Sequence, residues 1–215
     1  MVEIGYTLST EEHDAPTLVK NAPAAEEAGF DFLTVSDHYH PWIGAEGQSP
    51  FAWTVLGGVA AVTDRVKVAI AVTCPTIRYH PALVAQWAAT AASLMEGRFE
   101  LGIGSGEALN EHIYGDRWPP ATVRIAMMRE AIDMIRLLWK GEVTDCYGTY
   151  FIVEKARVFS LPGRCRRSSS RPRGRSREKW RAKRGTSWSC PWAIPRRSPR
   201  SWTRSKPRAG AASPV

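Results

Sequence analysis

The first 139 residues of the chain alternate between short apolar runs and longer amphipathic stretches. The predicted strand and helix pairs are residues 2–7 with 15–28, 30–35 with 51–63, 66–73 with 81–95, and 99–103 with 122–139. A strand, a crossover helix and a second strand place the two strands parallel, so four such units in a row predict an α/β fold with a parallel sheet. Residues 142–153, centred on Tyr147-Gly148-Thr149, then predict a small hairpin.

Four such units are half of what a closed (β/α)8 TIM barrel requires. Nothing after Leu161 reads as a further strand and helix. A half barrel would keep two unpaired sheet edges and an uncovered inner face. We therefore predict one folded domain, residues 1–161, that corresponds to the first half of a barrel.

The composition changes abruptly near Pro162. Residues 162–215 hold 17 of the 29 Lys and Arg residues and a single acid, Glu178. They contain no Leu, Met, Phe or Tyr and are made largely of Arg, Ser, Pro, Ala, Gly and Trp. Because so few aliphatic side chains cannot offset the entropy lost on ordering the chain, this segment is predicted to be a disordered basic tail.

The sequence has no apolar run long enough to span a bilayer and no secretion signal at its amino terminus, so we expect a cytoplasmic protein. The four cysteines show no metal-ligand spacing, and no metal is expected.

The segment Ser36-Asp37-His38-Tyr39-His40-Pro41-Trp42 places an acid, two histidines and a tryptophan directly after the second predicted strand. The carboxyl ends of parallel strands face the ligand in α/β enzymes. A histidine at such a position, with an ordinary pKa of about 6.5, suits general-base chemistry near neutral pH. His38 is therefore the candidate base.

Three segments of the sequence each keep more than one interpretation. His38 and His40, two positions apart, would share one face of a strand and match the HxH metal pair of amidohydrolases, although the further ligands of such a site are missing. Gly102-Ile103-Gly104-Ser105-Gly106 fits a tight turn or an anion-binding loop better than a dinucleotide fingerprint, because its spacing is GxGxG. Glu11 or Glu12 is either a site residue or an exposed charge at a helix entry.

A further pattern lies on the fourth helix. Arg129, Glu130, Asp133 and Arg136 recur every three or four residues, which predicts a solvated helix face.

Residues 36–42, 73–81 and 102–111, in this order, resemble the luciferase-like superfamily and, more closely, its F420-dependent glucose-6-phosphate dehydrogenase branch. The resemblance runs from about Ile4 to Leu161. It implies a (β/α)8 barrel, usually homodimeric, that binds coenzyme F420 at the carboxyl ends of its strands and acts on a small-molecule substrate. The implied activity is hydride transfer between an alcohol or sugar-type substrate and the deazaflavin.

The resemblance also implies roles for individual residues. His38 matches the base, Glu107 an acid that protonates the deazaflavin, and Trp42 a residue that helps to hold the reacting intermediate. Glu11 matches a glutamate near the substrate. The positions that match coenzyme neighbours are Asp37, Ala71, Val72, Cys74, Ser105, Gly106, Glu107 and Asn110, and the Ala71–Val72 pair matches a strand bulge with a cis peptide bond.

Two departures limit what the resemblance implies. The basic residues that hold the substrate phosphate, and part of the coenzyme contacts, come from the second half of the barrel in this family. We therefore expect an impaired copy that binds F420 weakly or not at all. An FMN-dependent luciferase-like monooxygenase is the alternative within the same superfamily.

The basic tail has two interpretations. Codons that encode residues 184–195 can also encode, when the reading frame is moved one base earlier, a peptide of the kind that the family places there. We therefore hypothesise a reading-frame slip after about Pro162. Taken at face value, 17 basic residues interleaved with four tryptophans would bind nucleic acid without sequence preference. No specific nucleic-acid partner is expected.

Overall fold

The computed structural model describes residues 2–163 of the chain. Its main sheet has four strands, β1 (Gly5–Leu8), β2 (Phe32–Val35), β3 (Lys67–Thr73) and β4 (Phe99–Ile103). The strands lie in chain order and every pair is parallel. The predicted parallel α/β architecture is therefore confirmed for this part of the chain.

Helices α1 (Ala15–Glu27), α2 (Ala52–Val62) and α3 (Pro81–Leu94) follow the first three strands. After β4 come the short helix α4 (Ala108–Glu111), a 3₁₀ turn (His112–Tyr114) and the long helix α5 (Ala121–Leu138). The long helices agree with the predicted segments to within one or two residues. The sequence did not predict α4, because four residues carry no helical periodicity.

The helices cover one face of the sheet. Contacts run from α1 to α2, from α2 to α3 and from α3 to α5, which is the order of a layer wrapped around the strands. Alternate strand residues such as Leu33, Val35, Val68 and Ile70 are buried beneath this layer. The residues between them, among them Thr34 and Ala69, are only partly covered, because the opposite face would point into the interior of a barrel.

Within residues 2–163, β1 and β4 are the two edges of this sheet. β1 starts later than predicted, since Val2 and Ile4 precede it and are exposed. Four parallel strands with helices on one face are half the strand count of a closed (β/α)8 barrel.

A hairpin of β5 (Thr144–Tyr147) and β6 (Ile152–Ala156) follows α5, as predicted, although its second strand extends three residues further. Glu130 of α5 accepts hydrogen bonds from the backbone amides of Thr149, Tyr150 and Phe151 in the hairpin turn. The prediction that Glu130 belongs to a solvated helix face is therefore wrong: its carboxylate holds the hairpin to the helix. Asp133 and Arg136 do form an exposed pair, 3.9 Å apart.

The predicted disorder, frame slip and nucleic-acid binding of the tail concern residues that lie, apart from Pro162 and Gly163, outside the described residues. Between residues 2 and 163, no helix has the length and apolar character needed to cross a membrane.

Candidate active site

The loops that follow β2, β3 and β4 meet at the carboxyl end of the sheet and enclose a cleft. Eight residues predicted from the sequence line it: Asp37, His38, Val72, Cys74, Ser105, Gly106, Glu107 and Asn110. Parallel strands bring their carboxyl ends to one edge, which is why residues 37 to 110 converge on a single place. The roles of these residues toward a ligand stay predictions.

The loop after β1 contributes Glu11, which lies behind His38. Oε1 of Glu11 is 2.7 Å from Nδ1 of His38, and the Glu11 residue is 4 % exposed. The alternative of an exposed charge at a helix entry is therefore wrong for Glu11, whereas Glu12 is exposed.

The environment of Glu11 keeps it ionised. Burial alone would raise the pKa of its carboxyl, but hydrogen bonds from His38, Ser36 and Ser9 outweigh that effect and lower the pKa to about 2. The hydroxyls of Ser9 and Ser36 each donate to Oε2 at 2.8 Å. A fixed anion thus faces one ring nitrogen of His38, an arrangement that orients the imidazole.

Trp42 lies on the other side of the same imidazole. The two rings meet edge to face, with centroids 5.0 Å apart, and Trp42 is 56 % exposed. His38 is therefore held between a buried carboxylate and an open indole face.

The wall formed by β3 and β4 is shaped by small residues and by backbone. The peptide bond between Ala71 and Val72 is cis, as the resemblance implied, and the pairing register of β3 with β4 shifts at this point. Val72 is exposed to the cleft, and a Cβ at Gly104 would lie 2.7 Å from its Cγ2. Ala71 itself is exposed and precedes this wall. The result is an apolar surface beside a strip of backbone, which fits a flat ring system.

Helix α4 closes the cleft. Glu107 is its exposed N-cap residue, and Gly106, with φ of +85°, makes the turn into it. Asn110 is buried, and its Oδ1 accepts hydrogen bonds from the backbone amides of Tyr39 and His40 at 2.8 and 3.1 Å. Asn110 therefore ties the loop that carries His38 to the helix that follows Glu107.

Asp37 is buried at the base of the cleft. Its Oδ2 accepts from the hydroxyl of Thr73 at 2.6 Å, and its Oδ1 accepts from Arg78 and from the hydroxyl of Tyr79, both at 3.0 Å. Burial, followed by the nearby Asp37 carboxylate, raises the pKa of the Tyr79 phenol, so this hydroxyl acts as a donor.

Cys74 also lines the cleft, but it is not a nucleophile. Burial, together with the carboxylates of Glu111 and Asp37, raises the pKa of its thiol to about 12. The thiol therefore stays protonated, and Cys74 contributes a small apolar side chain to the wall of the cleft.

The two histidines of the HxH pattern have different neighbours. His38 contacts Glu11 and Trp42, whereas the ring of His40 stacks on that of His112, with centroids 5.4 Å apart and planes inclined by 22°. No cluster of three or more His, Cys, Asp or Glu side chains suited to a metal ion occurs within residues 2–163.

Sequence reasoning missed three residues of the cleft: Arg78, Gly104 and Glu111. All three lie inside the segments that carry the family resemblance. Arg78 and Glu111 are 6 % and 1 % exposed. For Arg78 and Glu111 the available signal was a charged residue inside a motif that follows a strand, because such a residue is seldom buried without a partner.

The chain belongs to the luciferase-like monooxygenase family, whose model matches residues 1–172. Among curated relatives, it is 43 % identical over 162 residues to an F420-dependent glucose-6-phosphate dehydrogenase of Beutenbergia cavernae. It is 41 % identical over 163 residues to the enzyme of the same name from Nocardia farcinica. Each match covers 75 % of this chain and 48 % of the relative, so the chain spans about half the length of the relatives that it matches.

A solved structure of an F420-dependent secondary alcohol dehydrogenase, in complex with an F420-acetone adduct, is also similar. It is 37 % identical with a TM-score of 0.72, and the match covers 75 % of this chain and 49 % of that one. An FMN-containing type II Baeyer-Villiger monooxygenase from Pseudomonas putida matches at 24 % identity, 75 % and 48 % coverage and a TM-score of 0.61. This last likeness supports the fold alone.

Proposed function

We propose that the chain carries the coenzyme-facing half of an F420-dependent oxidoreductase, which transfers hydride between an alcohol or sugar-type substrate and the deazaflavin. The observation that carries the proposal is the 2.7 Å contact between His38, which lines the cleft, and an ionised, buried Glu11 behind it. The relatives named for F420 support the choice of coenzyme, because their sequences are 37 to 43 % identical to this chain over the aligned half of each relative.

The residues that line the cleft support binding of the deazaflavin coenzyme. Val72, Ser105 and Gly106 would lie along the ring, Asp37, Cys74 and Asn110 would surround it, and Ala71 would support it from β3. When bound, F420 supplies the acceptor for the hydride that leaves the substrate carbon.

His38 would act as the base. With Nδ1 committed to Glu11, Nε2 is the nitrogen that takes the proton of the substrate hydroxyl. The Glu11 carboxylate would stabilise the imidazolium that forms, and the Trp42 indole would hold the substrate against His38. Glu107, exposed at the start of α4 in the cleft lining, would deliver a proton from its carboxyl to the deazaflavin, which takes up the hydride.

The test is hydride transfer from a secondary alcohol or from glucose 6-phosphate, followed by the loss of F420 fluorescence at high coenzyme concentration. His38→Ala is expected to lower kcat by about 10²- to 10⁴-fold, the usual contribution of a general base. His13→Ala, in the loop after β1 that also carries Glu11, is the matched control and should leave kcat unchanged. Equal rates for His38→Ala and the parent chain would contradict the assignment.

Coenzyme binding is a separate measurement. We expect weak but saturable quenching of F420 fluorescence, since the chain spans about half of its relatives. Preference for FMN over F420 in the same titration would favour the monooxygenase alternative. The family resemblance also supports a homodimer in the cytoplasm as a working proposal, and sedimentation of the purified chain would test the dimer.

A further inference from the structure

A buried group of charges lies at the base of the cleft, between the loop after β2 and helix α4. The side chain of Arg78 is 3 % exposed, and those of Asp37 and Glu111 are each 1 % exposed. One guanidinium is therefore enclosed with two carboxylates. Such a group is costly to bury unless its members are paired, and breaking one pair leaves an uncompensated charge.

Arg78 holds the loop after β2 at two points. Its Nη2 donates to the backbone carbonyl of Asp37 at 2.7 Å and to Oδ1 of the same residue at 3.0 Å. The carbonyl of Asp37 belongs to the peptide group that joins Asp37 to His38. Fixing this peptide therefore fixes the direction in which His38 leaves the strand.

Arg78 also meets α4. Its backbone amide donates to Oε2 of Glu111 at 2.6 Å, and its Nε lies 4.0 Å from Oε1 of the same carboxyl. Glu111 is the last residue of α4, four positions after Glu107. The second link between the two elements is Asn110, which accepts the amides of Tyr39 and His40.

We propose that Arg78 is a positioning residue that locks the loop carrying His38 against the helix that begins after Glu107. Arg78 acts through Asp37 and Glu111. It thereby sets the distance between His38 and Glu107, the two residues that the proposed function assigns to proton transfer. The inference rests on that function for its catalytic consequence, whereas the locking itself is a property of the chain alone.

The test of the locking is amide hydrogen exchange in the full chain without any ligand. The amides of Tyr39 and His40 report on whether the loop stays bound to α4, and those of Leu33 in β2 and Ile70 in β3 report on the core. In Arg78→Met we expect Tyr39 and His40 to exchange about 10- to 100-fold faster relative to the core amides, the size expected for losing hydrogen bonds to a charged group.

Arg98→Met is the matched control. Arg98 also donates to backbone carbonyls, those of Thr63 and Val66, but it does so at the opposite end of the strands. It should leave the ratio of loop to core exchange unchanged. Arg78→Lys keeps the charge and loses the planar fork, so it should give an intermediate ratio.

A uniform rise in exchange at all amides of Arg78→Met would overturn the proposal, because it would assign Arg78 to general stability. Full protection of Tyr39 and His40 in Arg78→Lys would also overturn it, because charge alone would then suffice. If Arg78→Met does not fold, the Lys variant alone decides between these outcomes.

Steady-state kinetics then tests the catalytic consequence. In Arg78→Lys we expect kcat to fall by about 10-fold or more with KM little changed, since misplacing catalytic groups affects the reacting geometry more than binding. A normal kcat together with a loosened loop would overturn the catalytic part. If the parent chain shows no F420-dependent activity, the proposed function fails while the exchange result stands.

Discussion

The two ends of the parallel sheet differ in how they use charged side chains. At the amino end, Glu26 accepts hydrogen bonds from the amides of Asp64, Arg65 and Val66, and Arg98 donates to carbonyls of the same loop. These charges mainly satisfy backbone groups, although Glu26 also pairs with the exposed Arg65 and Arg98 also donates to the hydroxyl of Thr63. At the carboxyl end, Asp37 and Arg78 are buried and bind other side chains as well.

This difference separates a structural end from a chemical one. The charges at the amino end close a loop, and within the described residues no buried side-chain atom of Glu26 or Arg98 lacks a hydrogen bond. The carboxyl end instead has buried polar atoms without a protein hydrogen bond, among them Oε1 of Glu111, Nε of Arg78 and Oγ1 of Thr76. Two of these atoms, Nε of Arg78 and Oε1 of Glu111, face each other at 4.0 Å. Since buried polar atoms are seldom left without a hydrogen bond in a folded protein, their presence here agrees with the proposal that this end of the sheet is the functional one.

The largest effect is expected for Asp37→Ala. It leaves the guanidinium of Arg78 buried without its closest carboxylate, which should lower the free energy of unfolding by about 3 to 5 kcal/mol. Urea denaturation followed by tryptophan fluorescence measures this. Asp133→Ala, in an exposed pair on α5, is the control. If Asp37→Ala lowers the free energy of unfolding by less than a variant at the amino end does, the contrast between the two ends is wrong.

Next in size is the contribution of Glu11, which depends on pH. The folded pKa of about 2 lies below the value in the unfolded chain, so the stabilisation is complete above the unfolded pKa and is lost as the pH falls from about 5 to 2. The loss is on the order of 3 kcal/mol. Glu11→Gln should flatten the stability curve in this range, with Glu12→Gln as control. An unchanged curve would mean that Glu11 is not held as an anion.

A smaller effect is expected at the amino end for Glu26→Gln. The amide keeps one acceptor for the three backbone donors of residues 64–66, so the free energy of unfolding should fall by about 1 to 3 kcal/mol. Thermal or urea unfolding measures the change, and Glu27→Gln, exposed and one residue further along the chain, is the control. The cleft and any ligand binding should be unaffected.

The smallest effect is expected for Glu3→Gln. Oε1 of Glu3 lies 3.3 Å from Nζ of Lys67 at the exposed amino edge of the sheet. Surface pairs of this kind contribute about 0 to 1 kcal/mol, and less at high salt. A change larger than that of Glu26→Gln would show that the amino end depends on surface charge after all.

Much of the fold could be predicted because local signals marked its boundaries. Pro81 begins α3, and Gly29, with φ of +89°, follows the end of α1. The error at Glu130 has a different cause. Its partners lie 19 to 21 residues further along the chain, and helical spacing alone describes only the helix on which a residue sits.

The sequence predicted which residues lie in the site, but it did not predict which side chains contact one another. The motifs placed His38, Val72 and Ser105 at one edge because parallel strands end together. That Glu11 rather than Glu12 faces His38 depends on which side chain the loop turns inward. The role of Arg78 depends on three loops meeting, and no spacing along the chain encodes that contact.

The missing side chain at Gly104 has a consequence for how this protein can diverge. Since a methyl group there would press on Val72 and lie 3.3 Å from Sγ of Cys74, a larger residue directly after β4 requires a smaller residue or a shift at Val72 on β3. Positions 72 and 104 are therefore sterically coupled. A variant that accommodates a differently shaped heterocycle would need changes at both positions together.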